Sequence, residues 1–278
     1  AGKEALIEIY VNALTREIDT VWSKPHNPLP EGEGVGTIFF GGGTPTLLEP
    51  RHFERLLETI SPSTPGRGGW GVRAQEITIE CNPGTADRTK LKALRAHGIN
   101  RLSIGAQSFN DRHLKTLGRI HDAKAIFRIY EDARSAGFDN INLDLIFALP
   151  GQTLEEWKSD LQTAIDLGPN HLSTYNLQLE ENTPLWELIR EPATERRGSQ
   201  NTNSEETELA MYEYTIETLA TAGYKHYEIS NFAKPGYECR HNINYWRNGN
   251  YIGVGAGAHS HVNGKRWSNP NCIETYMR

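Results

Sequence analysis

Cysteine is scarce in this chain: Cys81, Cys239 and Cys272 are the only three in 278 residues, and they lie far apart. An odd, scattered set excludes a disulfide scaffold and makes a reducing cytoplasm the expected compartment. None of the three stands in a CxxC or CxxxC spacing, so neighbouring thiols cannot assemble a metal cluster. Long apolar runs are lacking as well. No stretch approaches the ~18 residues of a membrane span, and no basic-then-apolar leader opens the chain. Positive charge is in slight deficit, 29 Lys+Arg against 35 Asp+Glu for a net charge of -6, which argues against a nucleic-acid binder held mainly by phosphate contacts. What is present is a 37% apolar, 23% charged chain with a mean hydropathy of -0.58. A chain of this length buries about three quarters of its unfolded surface, enough for one large core or two modest ones.

Apolar spacing orders the elements. Leu6, Ile7, Tyr10, Leu14, Ile18 and Val21 fall at helical steps and predict an amphipathic helix over Glu4–Trp22. A short buried strand, Gly36–Phe40, then stops at the run Gly41-Gly42-Gly43-Thr44-Pro45. A helix is expected from about Pro50 to Ile60, and the Pro- and Gly-rich stretch 61–75 reads as a surface insertion. Strands at Glu76–Cys81, Arg101–Gly105, Asn140–Ala148 and His171–Leu177 alternate with helices near Thr89–His97, Asp111–Leu117, Asp122–Ala136 and Leu154–Leu167. That rhythm predicts right-handed βαβ crossovers and a parallel α/β sheet, which places chemistry at the carboxyl ends of the strands. The polar segment 190–204 reads as a linker between a barrel region, 1–189, and a barrel-closing region, 205–278, that begins with a helix. Both ends have the look of cuts: an α/β barrel is expected to open on a strand, and the last residues stop inside a possible helix.

Five polar residues stand where successive strands finish: Thr44, Glu80, Gln107, Asp144 and Gln178. A single one would be explained by a hydrogen bond to a neighbouring helix. Five in series point to one mouth suited to a ligand with hydroxyl, amino and carboxylate groups. Arg119, twelve residues after Gln107, can supply the cation for a carboxylate. The glycine run is followed by no GxxxxGK and is not GxGxxG, so it is no phosphate loop; three glycines let a ligand approach bare backbone.

These residues, taken as GGGTP, Glu80 in ITIECNPGT, Gln107 in RLSIGAQSF, Arg119 in LGRIH and Asp144 in NLDLIFALPGQT, resemble the radical S-adenosylmethionine (SAM) superfamily. The likeness runs from about Gly36 to Ser268 and is nearest to the branch of oxygen-independent coproporphyrinogen III oxidase and the HemW-type heme chaperones. It implies a partial (β/α)6 barrel with its first strand missing and SAM across its mouth. Gly42, Gly43 and Thr44 would meet the methionine end and Arg119 its carboxylate. Glu80, Gln107 and Asp144 would serve the remaining polar atoms, with backbone at Gln178 beside the adenine. His241-Asn242-Ile243-Asn244-Tyr245-Trp246 resembles the HNxxYW element of the heme chaperones. Neutral imidazole suits heme iron, and Tyr and Trp offer flat faces to a porphyrin; without the resemblance the same residues read more readily as a turn packed on a core. Cys239 is either a second iron partner or packing, and Tyr251–His259 resembles the family's glycine-rich strand. His259 and His261 read either as metal ligands or as ordinary hydrogen-bonded histidines.

One departure is large. The superfamily holds a [4Fe–4S] cluster through CxxxCxxC, and that motif is absent from these residues. The chain is expected to be either a piece of a longer protein or a protein that has discarded the motif, and the cluster belongs to the full-length relative. The resemblance therefore implies a chaperone that binds heme and passes it to an acceptor protein. Its alternative is a porphyrinogen oxidase that works by radical decarboxylation.

Overall fold

A computed structural model describes residues 2–22, 35–60, 74–181, 183, 185–187 and 203–278. The insertion expected at 61–75 and the linker expected at 190–204 fall largely outside these residues.

Among the described residues, five parallel strands lie side by side in chain order: β1 (Thr37–Phe40), β2 (Glu76–Cys81), β3 (Arg101–Gln107), β4 (Asn140–Phe147) and β5 (His171–Asn176). Because the order never reverses, right-handed crossovers put every connecting helix on the same face of the sheet. Those helices are α2 (Pro50–Ile60), α3 (Arg88–Ala96), α4 (Asp111–Thr116), α5 (Ala123–Ser135) and α6 (Leu154–Leu167), with α1 (Lys3–Trp22) ahead of β1. The other face is left concave, as the wall of a half-barrel. The helix starts are written locally. Asp87 and Asp122 accept from the Lys90 and Ala125 amides at 2.8 and 2.9 Å, and Thr153 forms a capping box with Glu156 before α6.

The period of two then divides the strands between two environments. Ile77, Ile79, Leu102, Ile104, Ile141, Leu143 and Leu172 turn to the helices and form the main core with Leu91, Leu94, Phe138 and Trp157. Each such fully buried aliphatic side chain contributes ~1.5–3 kcal/mol. Their neighbours Glu76, Thr78, Glu80, Arg101, Ser103, Asn142, Asp144, His171 and Ser173 turn to the concave side. A polar barrel lining is therefore set by parity alone.

The helix expected from 205 is α7 (Glu205–Thr221), capped by Ser204. The segment after it continues the same sheet: β7 (Asn231–Ala233) pairs antiparallel with β5, and β6 (Lys225–Glu228) pairs with β7. A short helix, α8 (Arg240–Trp246), then packs against β1, followed by the hairpin β8 (His259–Val262) and β9 (Lys265–Ser268) and a final turn, α9 (Ile273–Tyr276). The glycine-rich segment Tyr251–His259 is not the strand expected of it. Tyr251 makes an isolated bridge to His261, residues 252–258 form a loop whose Gly255 amide donates to Glu17 of α1 at 3.0 Å, and His259 opens β8.

Candidate functional site

At the carboxyl ends of the strands is a hollow of about 240 Å³, open on one side. Its walls come from every parallel strand but β1, whose contribution is the following loop: Gly43, Thr44 and Pro45. Gly42 and Gly43 both take left-handed backbone angles, φ 80° and 59°, and this turns the Gly42 amide onto Glu80 Oε2 at 3.1 Å. Asn82 donates to the Thr44 hydroxyl at 2.9 Å and ties the loop to β2. At Gly105 an added methyl would lie 2.7 Å from Asn82 Oδ1 and 2.8 Å from Gln107, so only a glycine leaves this side of the hollow clear. Gln107 itself sits beyond a register shift in β3 with φ 66°. The turn that carries it is pinned from behind by Asp160, which accepts from Ser108 Oγ at 2.6 Å and from the Phe109 amide at 2.9 Å.

The charges are arranged in opposition. Burial pushes the Asp144 carboxyl up, against hydrogen bonds from Ser103 (2.9 Å) and Asn142 (2.8 Å) that favour its ionised form. Burial likewise raises Glu80; the Gly42 amide lowers it, and the nearby Asp144 raises it further. The Arg119 guanidinium, lowered by burial and held up by Asp144, makes no hydrogen bond or ion pair with another described residue. The phenol of Tyr175 is pushed up to about 12, first by burial and then by Asp144. Two carboxylates, an unpaired guanidinium, two amides and bare loop backbone match a zwitterion that also carries hydroxyl groups. This donor set fits SAM.

A second polar constellation lies at the opposite, amino ends of the strands. Glu76, at the start of β2, accepts from the amides of Arg240 and His241, each at 3.1 Å, and from the Cys239 thiol at 3.5 Å, so one carboxylate holds the head of α8. Burial raises the Cys239 thiol to about 11, and the thiol is fully buried against Glu76, as a packed cysteine would be. His171 is fully buried and held well below its ordinary value by that burial, so it is neutral, with one donor and one acceptor. Tyr227 donates to its Nε2 at 2.7 Å, its Nδ1–H donates to Asn142 Oδ1 at 2.6 Å, and Asn142 donates to Asp144. The Cys239 amide donates to the Tyr227 hydroxyl at 3.3 Å. The two ends of the barrel are thereby joined by one directional hydrogen-bond path.

His241, half-buried, stacks on Phe39 at 5.1 Å and 24° and edge-on to Tyr245 at 4.9 Å. Its Nδ1 meets Thr37 Oγ1 at 2.9 Å and its Nε2 the Tyr245 hydroxyl at 3.1 Å. Burial lowers its pKa, with Glu76 opposing and Arg101 assisting, which favours neutral imidazole. Tyr245 and Trp246 leave large apolar faces exposed beside it.

Of the residues expected from sequence, Gly43, Thr44, Glu80, Gln107, Arg119 and Asp144 line one hollow, and Gly42 buttresses Glu80. Gln178 does not: it is exposed two residues past the end of β5, and Tyr175 occupies that wall instead. His241 belongs to the far end of the barrel. His261 is buried with its Nδ1 on the Gly249 carbonyl at 3.0 Å, as an ordinary hydrogen-bonded histidine would be. Ser103, Asn82 and Tyr175 were missed; strand parity would have found Ser103 and Tyr175, since each shares the inward side with its polar neighbour two residues before. A cluster finds no ligand set: Cys81 and Cys239 are buried and apart, and no group of three metal-binding side chains occurs among the described residues.

Residues 29–164 match the radical SAM superfamily. Over 275 residues the chain is 38% identical to the heme chaperone HemW of Bacillus subtilis, covering 98% of this chain and 68% of that protein. Likeness to the HemW of Lactococcus lactis subsp. lactis is also 38%, covering 98% of this chain and 66% of that one. Among solved structures, the Escherichia coli coproporphyrinogen III oxidase HemN, a radical SAM enzyme, superposes with a TM-score of 0.79 at 27% identity, over 100% of this chain and 63% of that one. The chain thus spans about two thirds of the length of these relatives.

Proposed function

The chain belongs to the radical SAM superfamily, in the group of the heme chaperone HemW, and from that premise we propose that it binds heme at His241 for delivery to an acceptor protein, with SAM held in the separate hollow at the other end of the barrel. The observation that carries the reading is the surface of α8: a half-buried imidazole, neutral because burial disfavours its charge, flanked by the exposed faces of Tyr245 and Trp246. A neutral ring nitrogen can donate its lone pair to iron, and the aromatic faces can cover part of a porphyrin.

In the hollow, Arg119 would pair with the SAM carboxylate and the Gly43–Pro45 backbone would lie along its amino-acid end. Glu80 and Asp144 would accept from its ammonium and hydroxyl groups. SAM supplies a methionine-linked adenosyl group that a reduced cluster can cleave; the three cysteines of this chain do not form that cluster, and no radical step is assigned to it. The likeness to the oxidase supports the fold, and decarboxylation would need the same cluster. No helix among the described residues is long and apolar enough to cross a membrane, and a cytoplasmic place of work is part of the proposal, supported by free thiols.

Adding heme to the purified chain is expected to shift the Soret band, and His241→Ala to weaken that shift. An unchanged spectrum with the unaltered chain would overturn the reading.

A further inference from the structure

Both ring nitrogens of His241 already have partners. Thr37 Oγ1 lies 2.9 Å from Nδ1 and the Tyr245 hydroxyl 3.1 Å from Nε2. The two partners are unlike in chemistry. A phenol is a better donor and a poorer acceptor than an alcohol, so the preferred pattern has Tyr245 O–H donating to Nε2 and Nδ1–H donating to Thr37 Oγ1. They are also unlike in placement. Thr37 is fixed in β1, paired with Glu76 of β2, whereas Tyr245 is exposed on the outer side of α8, where its ring stands edge-on to Tyr251 at 4.6 Å. Phe39 of β1 stacks on the imidazole, with ring centroids 5.1 Å apart.

We propose that Tyr245 is a latch on His241: its hydroxyl occupies the Nε2 lone pair that heme iron requires, Thr37 holds the tautomer that makes Nε2 the ligating atom, and heme is taken up when the Tyr245 side chain turns away. This rests on the heme reading above and adds the regulation of that site. On uptake the Nε2 lone pair passes from the phenol proton to iron, the Tyr245 O–H turns to water, and no proton leaves the imidazole. The Thr37 contact then does what the outer partner of a metal-bound histidine ordinarily does, fixing ring orientation and raising basicity.

Tyr245→Phe keeps both aromatic contacts and removes only the hydroxyl. In the full chain it is expected to raise the rate at which diethyl pyrocarbonate modifies His241, followed by mass spectrometry, and the heme association constant, each about two- to twelvefold, the range set by losing one ordinary hydrogen bond. Thr37→Val is expected to lower heme affinity, and ¹⁵N shifts of the His241 ring to move from the Nδ1–H pattern toward a mixture. If Tyr245→Phe leaves the modification rate unchanged or slower with the circular dichroism intact, the latch is refuted. A faster modification together with weaker heme binding also refutes it, because the hydroxyl would then be a heme contact. If modification speeds up as expected but His241→Ala leaves the heme spectrum unaltered, the hydrogen bond stands and the heme reading fails.

Discussion

Glu76→Gln perturbs the amino end of the barrel without touching the hollow, and its cost can be worked from three contacts. Glu76 is 5% exposed and accepts from the Arg240 amide on Oε2, and from the His241 amide and the Cys239 thiol on Oε1. The least damaging amide rotamer keeps its oxygen at Oε1 and turns its NH2 toward the Arg240 amide, setting donor against donor. An orphaned amide at a partly buried position costs ~1–3 kcal/mol, and replacing charge-assisted acceptance at Oε1 by neutral acceptance costs about 1 kcal/mol more. A loss of about 2–4 kcal/mol is therefore expected in urea denaturation, a large share of the ~5–15 kcal/mol that separates a folded chain from its unfolded state. Heme affinity should weaken with it, because the same carboxylate positions the head of α8. SAM affinity should not change, since the hollow is built at the other ends of the strands. A stability loss under 1 kcal/mol, or SAM binding lost while heme binding persists, would refute the account of Glu76 as the anchor of the α8 helix.

Arg119→Ala removes the guanidinium of the hollow and is expected to lower SAM affinity about 10- to 100-fold in calorimetry, the value of a hydrogen bond to a charged group, while a decarboxylated SAM analogue loses little. Equal losses for both ligands would take Arg119 away from the carboxylate. Asp160 gives a pH dependence of definite sign. Burial raises its carboxyl from 3.8 to about 6, against Ser108 and Phe109, so the folded chain holds this proton more tightly than the unfolded one. Its contribution is then most favourable below the unfolded value, falls by roughly 3 kcal/mol as pH rises through that window, and levels off above it. Asp160→Asn should flatten this slope relative to the unaltered chain in urea titrations from pH 4 to 7; parallel curves would contradict the assignment.

Much of the fold was legible because its signals are local. The period of two in ITIE and NLDLIF, the caps at Asp87, Asp122 and Thr153, and the alternation of strand with helix each need only a few neighbouring residues. Glu80, Gln107 and Asp144 could be read as members of one site for the same reason: Glu80 and Gln107 stand at strand ends, Asp144 lies in the second half of β4, and parallel strands finish together. Gln178, expected to offer its backbone, stands two residues past the end of β5 and outside the lining of the hollow; β5 ends at Asn176, one residue short of the expected Leu177. Most of Tyr251–His259 is a loop rather than the strand expected, because glycine richness is shared by a tight strand and by a loop, and the local pattern does not tell them apart.

The sequence by itself determined the order of elements, the polar face of the sheet and the residue types gathered at the strand ends, since chain order, parity and capping are all short-range properties. Tertiary structure alone decided that His241 lies at the opposite end of the barrel from Asp144, with Glu76 holding the head of its helix. The contacts that settle it join residues 165 and 204 positions apart, Glu76 and Thr37 with His241, and no local pattern encodes which distant backbone will arrive above a buried carboxylate.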